Sequence, residues 1–329
     1  MSGPSPGYRS AAYAAALAHL GPLRPLGETD GFVIARDVPG APGRTDLAGP
    51  YPLLCCADWS RLGPAVAALR DAAAGGTAAG RAGPEDDGAE GDRPVSLVLV
   101  TDPFCPLDAS ALSGIFPLCR VLHEHYLIDL AAPLALSRTH RRKLRAAPGL
   151  RFEMWPASRA DLADLSRLYA GLVARHRIGD LRAFPAESLA HQLDVPGAEL
   201  VTAWEGETLL GADLYYPDSP AGHEGGVMRA HLSAYSDRGY ALSVSYPMMA
   251  HAIEALRGRA RWLDLGGAPA GGEGVAQFKA GWTAQRRPSF LCGRVLDPAA
   301  YAALCPPGAD TGYFPAYRAG EFTRPDALD

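Results

Sequence analysis

Apolar positions along this chain change their spacing several times, and each change marks an element. In the first half, Gly31 to Ala35 and Tyr51 to Ala57 read as strands, and Trp59 to Ala73 as a helix. Val95 to Thr101, mostly apolar, reads as a buried strand. Ala109 to Val121 then predicts a helix and Glu124 to Leu130 another strand. Ser137 to Ala147 predicts a short basic helix, stopped by Pro148-Gly149. Ahead of all these, Ala11 to Leu20 reads as a first amphipathic helix. Ala72 to Pro94 holds small, acidic and turn-forming residues with no apolar period, which predicts a flexible surface loop.

The second half repeats the theme. Arg151 to Trp155 predicts a strand, and Leu162, Leu165, Leu168, Tyr169, Leu172 and Val173 follow at helical spacing. Glu199 to Trp204, Leu209 to Tyr216 and Gly225 to Tyr235 predict three strands, the first two joined as a hairpin through Glu205-Gly206-Glu207. Ser243 to Leu256 is expected to be helical, Arg261 to Leu265 a strand, Gly274 to Ala280 a short helix and Ser289 to Leu296 a final strand.

Helix, antiparallel meander, helix, strand, helix, strand is the order of the acetyltransferase-like (GNAT) fold. An approximate version in each half predicts an α+β protein of two tandem GNAT-like domains with mixed, splayed sheets. The expected limits are 1–148 for the first domain, 149–296 for the second, which carries the site, and 297–329 for a tail packing back on the first. A length of 329 residues suits two such domains.

Composition narrows the function. No run of about 18 or more apolar residues occurs, so no membrane helix is expected, and with no signal-peptide pattern at the start the chain is read as cytoplasmic. Six cysteines without a C-x-x-C pair read as reduced thiols. His123-Glu124-His125 lacks the helical spacing of a zinc motif, and no metal is expected. The net charge of −5 supplies no global attraction for nucleic acid, yet basic residues cluster at Arg138, Arg141, Arg142 and Lys143, and again at Arg175 to Arg182. Such a cluster is either a solvated helix face or a phosphate-binding patch. Only two of the 31 basic residues are lysines, Lys143 and Lys279, so a lysine that persists here points to a role that guanidinium cannot fill.

The segment Trp262-Leu263-Asp264-Leu265-Gly266-Gly267, followed by Gln277-Phe278-Lys279-Ala280-Gly281-Trp282, resembles the "DLGG … FKxGF" segment of FemAB-like transferases. These are tandem-GNAT enzymes that add amino acids to peptidoglycan precursors. His125 to Leu130 with Ser137-x-x-His140-Arg141-Arg142, and Val227 to Ser236, are similar to further stretches of that family. The resemblance implies transfer of an aminoacyl group from aminoacyl-tRNA to an amine, with Phe278 and Lys279 as the functional pair. The sequence departs from the family where Trp282 replaces a phenylalanine and where Arg229 and His231 stand in place of a tyrosine. There is also no room for the family's coiled-coil arm. The acceptor therefore stays open between a small molecule, as in natural-product tailoring or antibiotic biosynthesis, and a peptide such as a cell-wall precursor.

The chemistry has its own demands. An amine attacking an activated ester passes through a tetrahedral oxyanion, and a fixed cation aimed at that oxygen is commonly the largest catalytic contribution. Lys279 suits this task, and Gly266 and Gly267 would let backbone approach the acyl group. His231 is the side-chain candidate for taking the amine's proton. By strand alternation Tyr235 is expected on the same face as His231, with Arg229 completing the substrate-binding set. The rival donor is acyl-CoA or an acyl carrier protein. Ser236-Asp237-Arg238-Gly239-Tyr240-Ala241 keeps two small residues of the acyl-CoA signature, but it lacks the leading Gln/Arg and puts Asp237 where phosphate would approach.

Overall fold

The computed structural model describes residues 5–73, 93–145, 149–179, 183–220, 225–269, 271–305 and 312–321. Most of the expected loop from Ala72 to Pro94, and Arg182 of the second basic run, lie outside the described residues. Elements follow in the order α1 (Ala11–Leu17), β1 (Leu23–Pro25), β2 (Phe32–Asp37), β3 (Thr45–Ala48), α2 (Leu62–Ala73), β4 (Pro94–Val100) and α3 (Ala109–Ile115). Next come β5 (Leu118–Asp129), α4 (Arg138–Leu144), β6 (Arg151–Pro156), α5 (Leu162–His176), α6 (Ala186–Leu193), β7 (Glu199–Glu205) and β8 (Thr208–Asp218). The remainder is β9 (Val227–Tyr235), α7 (Asp237–Leu242), α8 (Ser245–Leu256), β10 (Trp262–Asp264), α9 (Glu273–Ala280), β11 (Arg286–Val295) and α10 (Pro298–Leu304). No helix among the described residues is long and apolar enough to cross a membrane.

Two expected elements differ, both because of proline. Tyr51 to Ala57 is not a strand: only Leu54 makes an isolated bridge, to Thr101, while β3 forms just upstream. Pro50 and Pro52 have no N–H to give a ladder. The helix expected to reach Val121 ends at Ile115, because Phe116 precedes Pro117 and is held extended at φ −118° and ψ 117°.

The chain divides into two compact units, each made from two separated stretches: residues 17–122 with those from 289 onward, and residues 1–16 with 123–288. The limits expected from sequence at 148 and 296 cut across these units. Pro148-Gly149 is a local turn signal, whereas the allegiance of the preceding residues is set by strand pairing. Asp129, Ile128 and Leu127 of β5 lie antiparallel to Trp262, Leu263 and Asp264 of β10, so the basic helix α4 falls in the unit that contains Lys279.

In the unit of residues 17–122, β2 pairs antiparallel with β1 and β3, and β3 runs parallel to β4, which pairs antiparallel with β11. Its core includes Leu26, Leu47, Trp59, Leu62, Leu97 and Leu112. Residues near the C-terminus fasten onto β2 and β3. Asp46 accepts hydrogen bonds from Arg36, Tyr317 and Arg318, and Arg36 also donates to Glu321 at 2.7 Å.

In the unit of residues 123–288, the strand order is β5-β10-β9-β8-β7-β6. Among the described residues the one parallel pairing in this unit is β10 with β9, and it lasts three residues, ending at Asp264↔Arg229. Beyond that point the sheet forks. β9 runs on against β8 to Tyr235, while the chain after Asp264 follows β5, with Leu265 N–H donating to Tyr126 C=O at 2.9 Å. A core of Ile128, Val201, Leu210, Met248, Ile253, Leu263 and Trp282 covers one face of this sheet.

Candidate functional site

The base of the fork is tied together by charge. Arg229 and Asp264, side by side at its base, are 2% exposed each. The Arg229 guanidinium donates to Asp264 at 3.0 Å and to Asp218 at 2.8 Å. Burial alone would raise the Asp264 carboxyl. His125 at 2.9 Å, Arg229 and the Gly266 N–H overcome that and hold it well below the usual carboxylate range. Arg229 was expected to bind substrate. With its guanidinium buried between two carboxylates, it instead braces the base of the fork.

Lys279 stands at the same place from the other side. It lies on the last turn of α9, and its Nζ donates to Gly267 C=O at 2.5 Å. A Cβ on Gly266, whose φ of +74° suits glycine, would lie 3.5 Å from that Nζ. A Cβ on Gly267 would meet the His123 side chain at 2.6 Å, so packing demands glycine at 267, whereas backbone conformation favours it at 266. Burial lowers the Lys279 ammonium to about 8, and nearby Asp264 partly offsets this. At neutral pH it remains mostly charged, a compact cation with little solvent around it.

Phe278, next to Lys279, turns to the opposite side and packs near Tyr246 and Trp282, with ring centroids at 5.0 and 6.1 Å. There it meets the basic helix. His140 of α4 is buried, and its Nε2 donates to Phe278 C=O at 2.8 Å while Nδ1 accepts from Ser137 Oγ at 2.8 Å. Ser137 N–H in turn donates to Gly281 C=O at 3.2 Å. The Ser-x-x-His and Phe-Lys-Ala-Gly segments, more than a hundred residues apart, thus form one joint. A Cβ on Gly281 would stand 1.9 Å from the His140 ring. From this joint α4 presents Arg138, Arg141 and Arg142 to solvent, and Lys143 donates to Ser243 Oγ at 2.9 Å.

His231 and Tyr235 do not share a face, contrary to strand alternation. The β8–β9 register steps from Tyr215↔Ala230 to Leu214↔Leu232, leaving His231 as the extra residue of a β-bulge. Tyr235 lies on the face covered by the core around Met248 and donates to Asp213 at 2.7 Å. His231 points the other way and stacks on Tyr216 at 4.6 Å. Its Nε2 donates to Gln192 Oε1 at 2.9 Å, its Nδ1 accepts from Tyr8 at 3.1 Å, and burial lowers its pKa to about 3. A ring with both nitrogens engaged and so little basicity is poorly suited to accept a proton from an amine. No sequence pattern announced the bulge.

Sequence also missed how the segment from Ser236 to Ala241 folds. It forms α7, where Ser236 Oγ accepts from Gly239 N–H at 3.1 Å and Ser236 C=O accepts from Tyr240 N–H at 2.9 Å. Gly239 is required by packing, since a Cβ there would stand 2.3 Å from Leu210 C=O.

No family model matches the sequence, and no curated protein matches it. Solved structures do. FemX is similar over 90% of this chain and 94% of its own, at 14% identity and a TM-score of 0.58. The C-terminal domain of a protein from Agrobacterium fabrum, assigned as a lysylphosphatidylglycerol synthetase, matches over 88% of this chain and 89% of its own, at 17% identity and a TM-score of 0.56. L-PGS from Bacillus licheniformis matches over 84% and 86%, at 15% identity and a TM-score of 0.52. The chain therefore shares the α+β fold of FemX, as the sequence resemblance predicts.

Proposed function

We propose that this protein is an amide-forming acyltransferase that moves an aminoacyl group from aminoacyl-tRNA to the amine of a small-molecule or peptide acceptor. The observation that carries this reading is Lys279, a mostly buried ammonium fixed against Gly267 where the sheet forks. A carbonyl oxygen entering the fork would meet a preorganised cation, which is what a developing oxyanion needs. The shared fold with FemX and with a lysylphosphatidylglycerol synthetase supports acyl transfer as the reaction class.

The tRNA donor is supported by α4. Its exposed Arg138, Arg141 and Arg142 form a phosphate-seeking face that is joined, through His140 and the Phe278 carbonyl, to the helix carrying Lys279. An acyl-CoA donor is less well served. In the segment that would cradle its pyrophosphate, the Gly239 and Tyr240 amides already bond to Ser236, and the exposed Asp237 would repel phosphate. The acyl step itself calls for no metal or bound cofactor.

The test is donor competition with purified protein. Charged tRNA, acyl-CoA and carrier-bound acyl groups are offered together with a pool of amines, and amide products are identified by mass spectrometry. Product from charged tRNA alone is expected. Product only from acyl-CoA or the carrier protein would replace the donor, and no amide from any of the three would remove the reading.

A further inference from the structure

Another ionisable cluster lies on one arm of the fork, and neither the fork-base ion network nor Lys279 involves it. Asp213 of β8 is 2% exposed. Tyr235 donates to its Oδ1 at 2.7 Å, and Ser233 stands directly across the β8–β9 ladder from it. Tyr215, fully buried, turns its hydroxyl toward the same carboxylate without reaching hydrogen-bond geometry and has no other partner among the described residues. The β9 bulge is what assembles this group. By slipping the register one residue, it brings Ser233 opposite Asp213 on the face that carries Tyr215 and Tyr235.

Two features distinguish the cluster from an ordinary buried hydrogen-bond network. No Lys, Arg or His among the described residues pairs with Asp213, so its charge is held by neutral hydroxyls only. Burying a carboxylate without a cation is costly, and proteins seldom keep one without a use. Moreover, the cluster opens outward. β9 loses its β10 neighbour after Arg229, and Ser233, four residues further along this free edge, is exposed. A solvent-facing serine thus stands across the ladder from a buried anion, on the face that carries an unsatisfied tyrosine hydroxyl.

We propose that Asp213, Ser233, Tyr235 and Tyr215 form a subsite for a substrate ammonium group, reached from the fork along the free edge of β9. A primary ammonium has three donors and one charge. It would supply the missing counter-ion and take up the lone pairs of Asp213 and Tyr215. The inference deepens the acyl-transfer reading and rests on it for the source of the ammonium: the α-amino group of an aminoacyl donor, or the acceptor amine before it loses its proton. Burial, only partly offset by Tyr235, Ser233 and Tyr215, raises Asp213 to about 6, so the subsite is anionic at neutral pH and loses its charge below that. The other ionisable groups around it are Tyr240 of α7, which feels the Asp213 charge, and Arg175 of α5, which stacks 4.2 Å over the Tyr240 ring and pairs with Asp237. Tyr215 and Tyr235 are raised well above 10 by burial and the Asp213 charge, and so stay neutral donors.

The experiment is a binding titration on the full chain, independent of turnover, followed by NMR with three probes: glycinamide, N-acetylglycinamide and ethylamine. Glycinamide should bind at pH 7, and N-acetylglycinamide should bind at least tenfold more weakly. Asp213→Asn, checked for an intact fold by thermal unfolding, should weaken glycinamide by about tenfold or more, the range for a lost charged hydrogen bond. Wild-type affinity should fall as the pH drops through 6 while the probe stays cationic, and Asp213→Asn should show no such fall. Tyr235→Phe removes a donor that favours the charged carboxylate, so it should move the midpoint to higher pH. A strong preference for glycinamide over ethylamine assigns the subsite to the aminoacyl donor, and equal binding assigns it to the acceptor amine. Equal binding of the acetylated probe, or a shared pH profile for wild type and Asp213→Asn, would overturn the proposal. Because no product is measured, such a result leaves the acyl-transfer reading intact, whereas Asp213-dependent binding by a protein that forms no amide would refute only that reading.

Discussion

Replacing Lys279 tests the centre of the proposed mechanism, and the structure sets the size of the effect. Its Nζ lies 2.5 Å from Gly267 C=O. An acyl oxygen bound against this glycine pair would sit roughly 4 Å from the positive charge. At an effective dielectric of about 20, one unit of developing negative charge at that distance gains about 4 kcal/mol. Water entering the space left by alanine would recover part of this. Lys279→Ala should therefore lower kcat by about a hundredfold to a thousandfold, matching the loss of one oxyanion-hole donor. KM should change less, because the interaction strengthens as charge develops. Lys279→Arg should also be impaired, since a planar guanidinium does not fit beside Gly266 and Gly267. The pH profile separates electrostatic from base catalysis. With its ammonium lowered to about 8, Lys279 is charged below that pH and neutral above it, so kcat should decline as pH rises through 8. The assay is single-turnover amide formation from charged tRNA, with unfolding curves confirming that each variant is folded. Wild-type rates in Lys279→Ala, or the same pH profile in Lys279→Ala as in the wild type, would refute the reasoning.

Arg141→Ala with Arg142→Ala should weaken tRNA binding and flatten its salt dependence, by a little under one log unit per log unit of salt for each phosphate no longer neutralised; filter binding across a salt series measures this. His140→Ala removes the buried ring joining α4 to α9 and should destabilise the protein by about 2–4 kcal/mol in urea titration, with a loss of activity beyond the unfolded fraction. Asp46→Asn leaves Arg36 and Arg318 with Glu321 as their remaining carboxylate and should cost about 1.5–3 kcal/mol of stability by the same assay. His231 should stay neutral in 15N spectra down to about pH 4, because burial holds its pKa near 3; protonation near pH 6.5 would show that its ring is free to act as a base.

The readable parts of this fold were those written in local chemistry. The meander from Glu199 to Tyr235, the helix ending at Leu256 and the Phe278-Lys279 segment follow from apolar spacing and short motifs, and the structure finds them close to where they were expected. What stayed hidden depends on partners distant in sequence. The extra residue at His231 exists only relative to β8, so strand alternation read from β9 alone put His231 and Tyr235 on one face. Arg229 looked like a substrate ligand because its two carboxylate partners, Asp218 and Asp264, lie on other strands. Asp213 gave no signal at all, being one acidic residue in an apolar strand. Its meaning comes from the hydroxyls that the bulge places around it.

The way the two units share the chain has a consequence for how the protein is made. Residues 1–16 leave the ribosome ahead of 17–122, yet they belong with 123–288, and residues 17–122 belong with a stretch that begins at 289. Each unit must close a loop of more than a hundred residues, about 4 kcal/mol in chain entropy with the slowly growing logarithmic dependence on length. Neither can be complete until most of the sequence has been synthesised, so domain-by-domain folding during translation is not open to this chain. The same weave forbids dissection by simple truncation. A fragment cut at residue 148 would strand β5 and α4 away from β10 and α9, and the joint between His140 and Phe278 would have no second half.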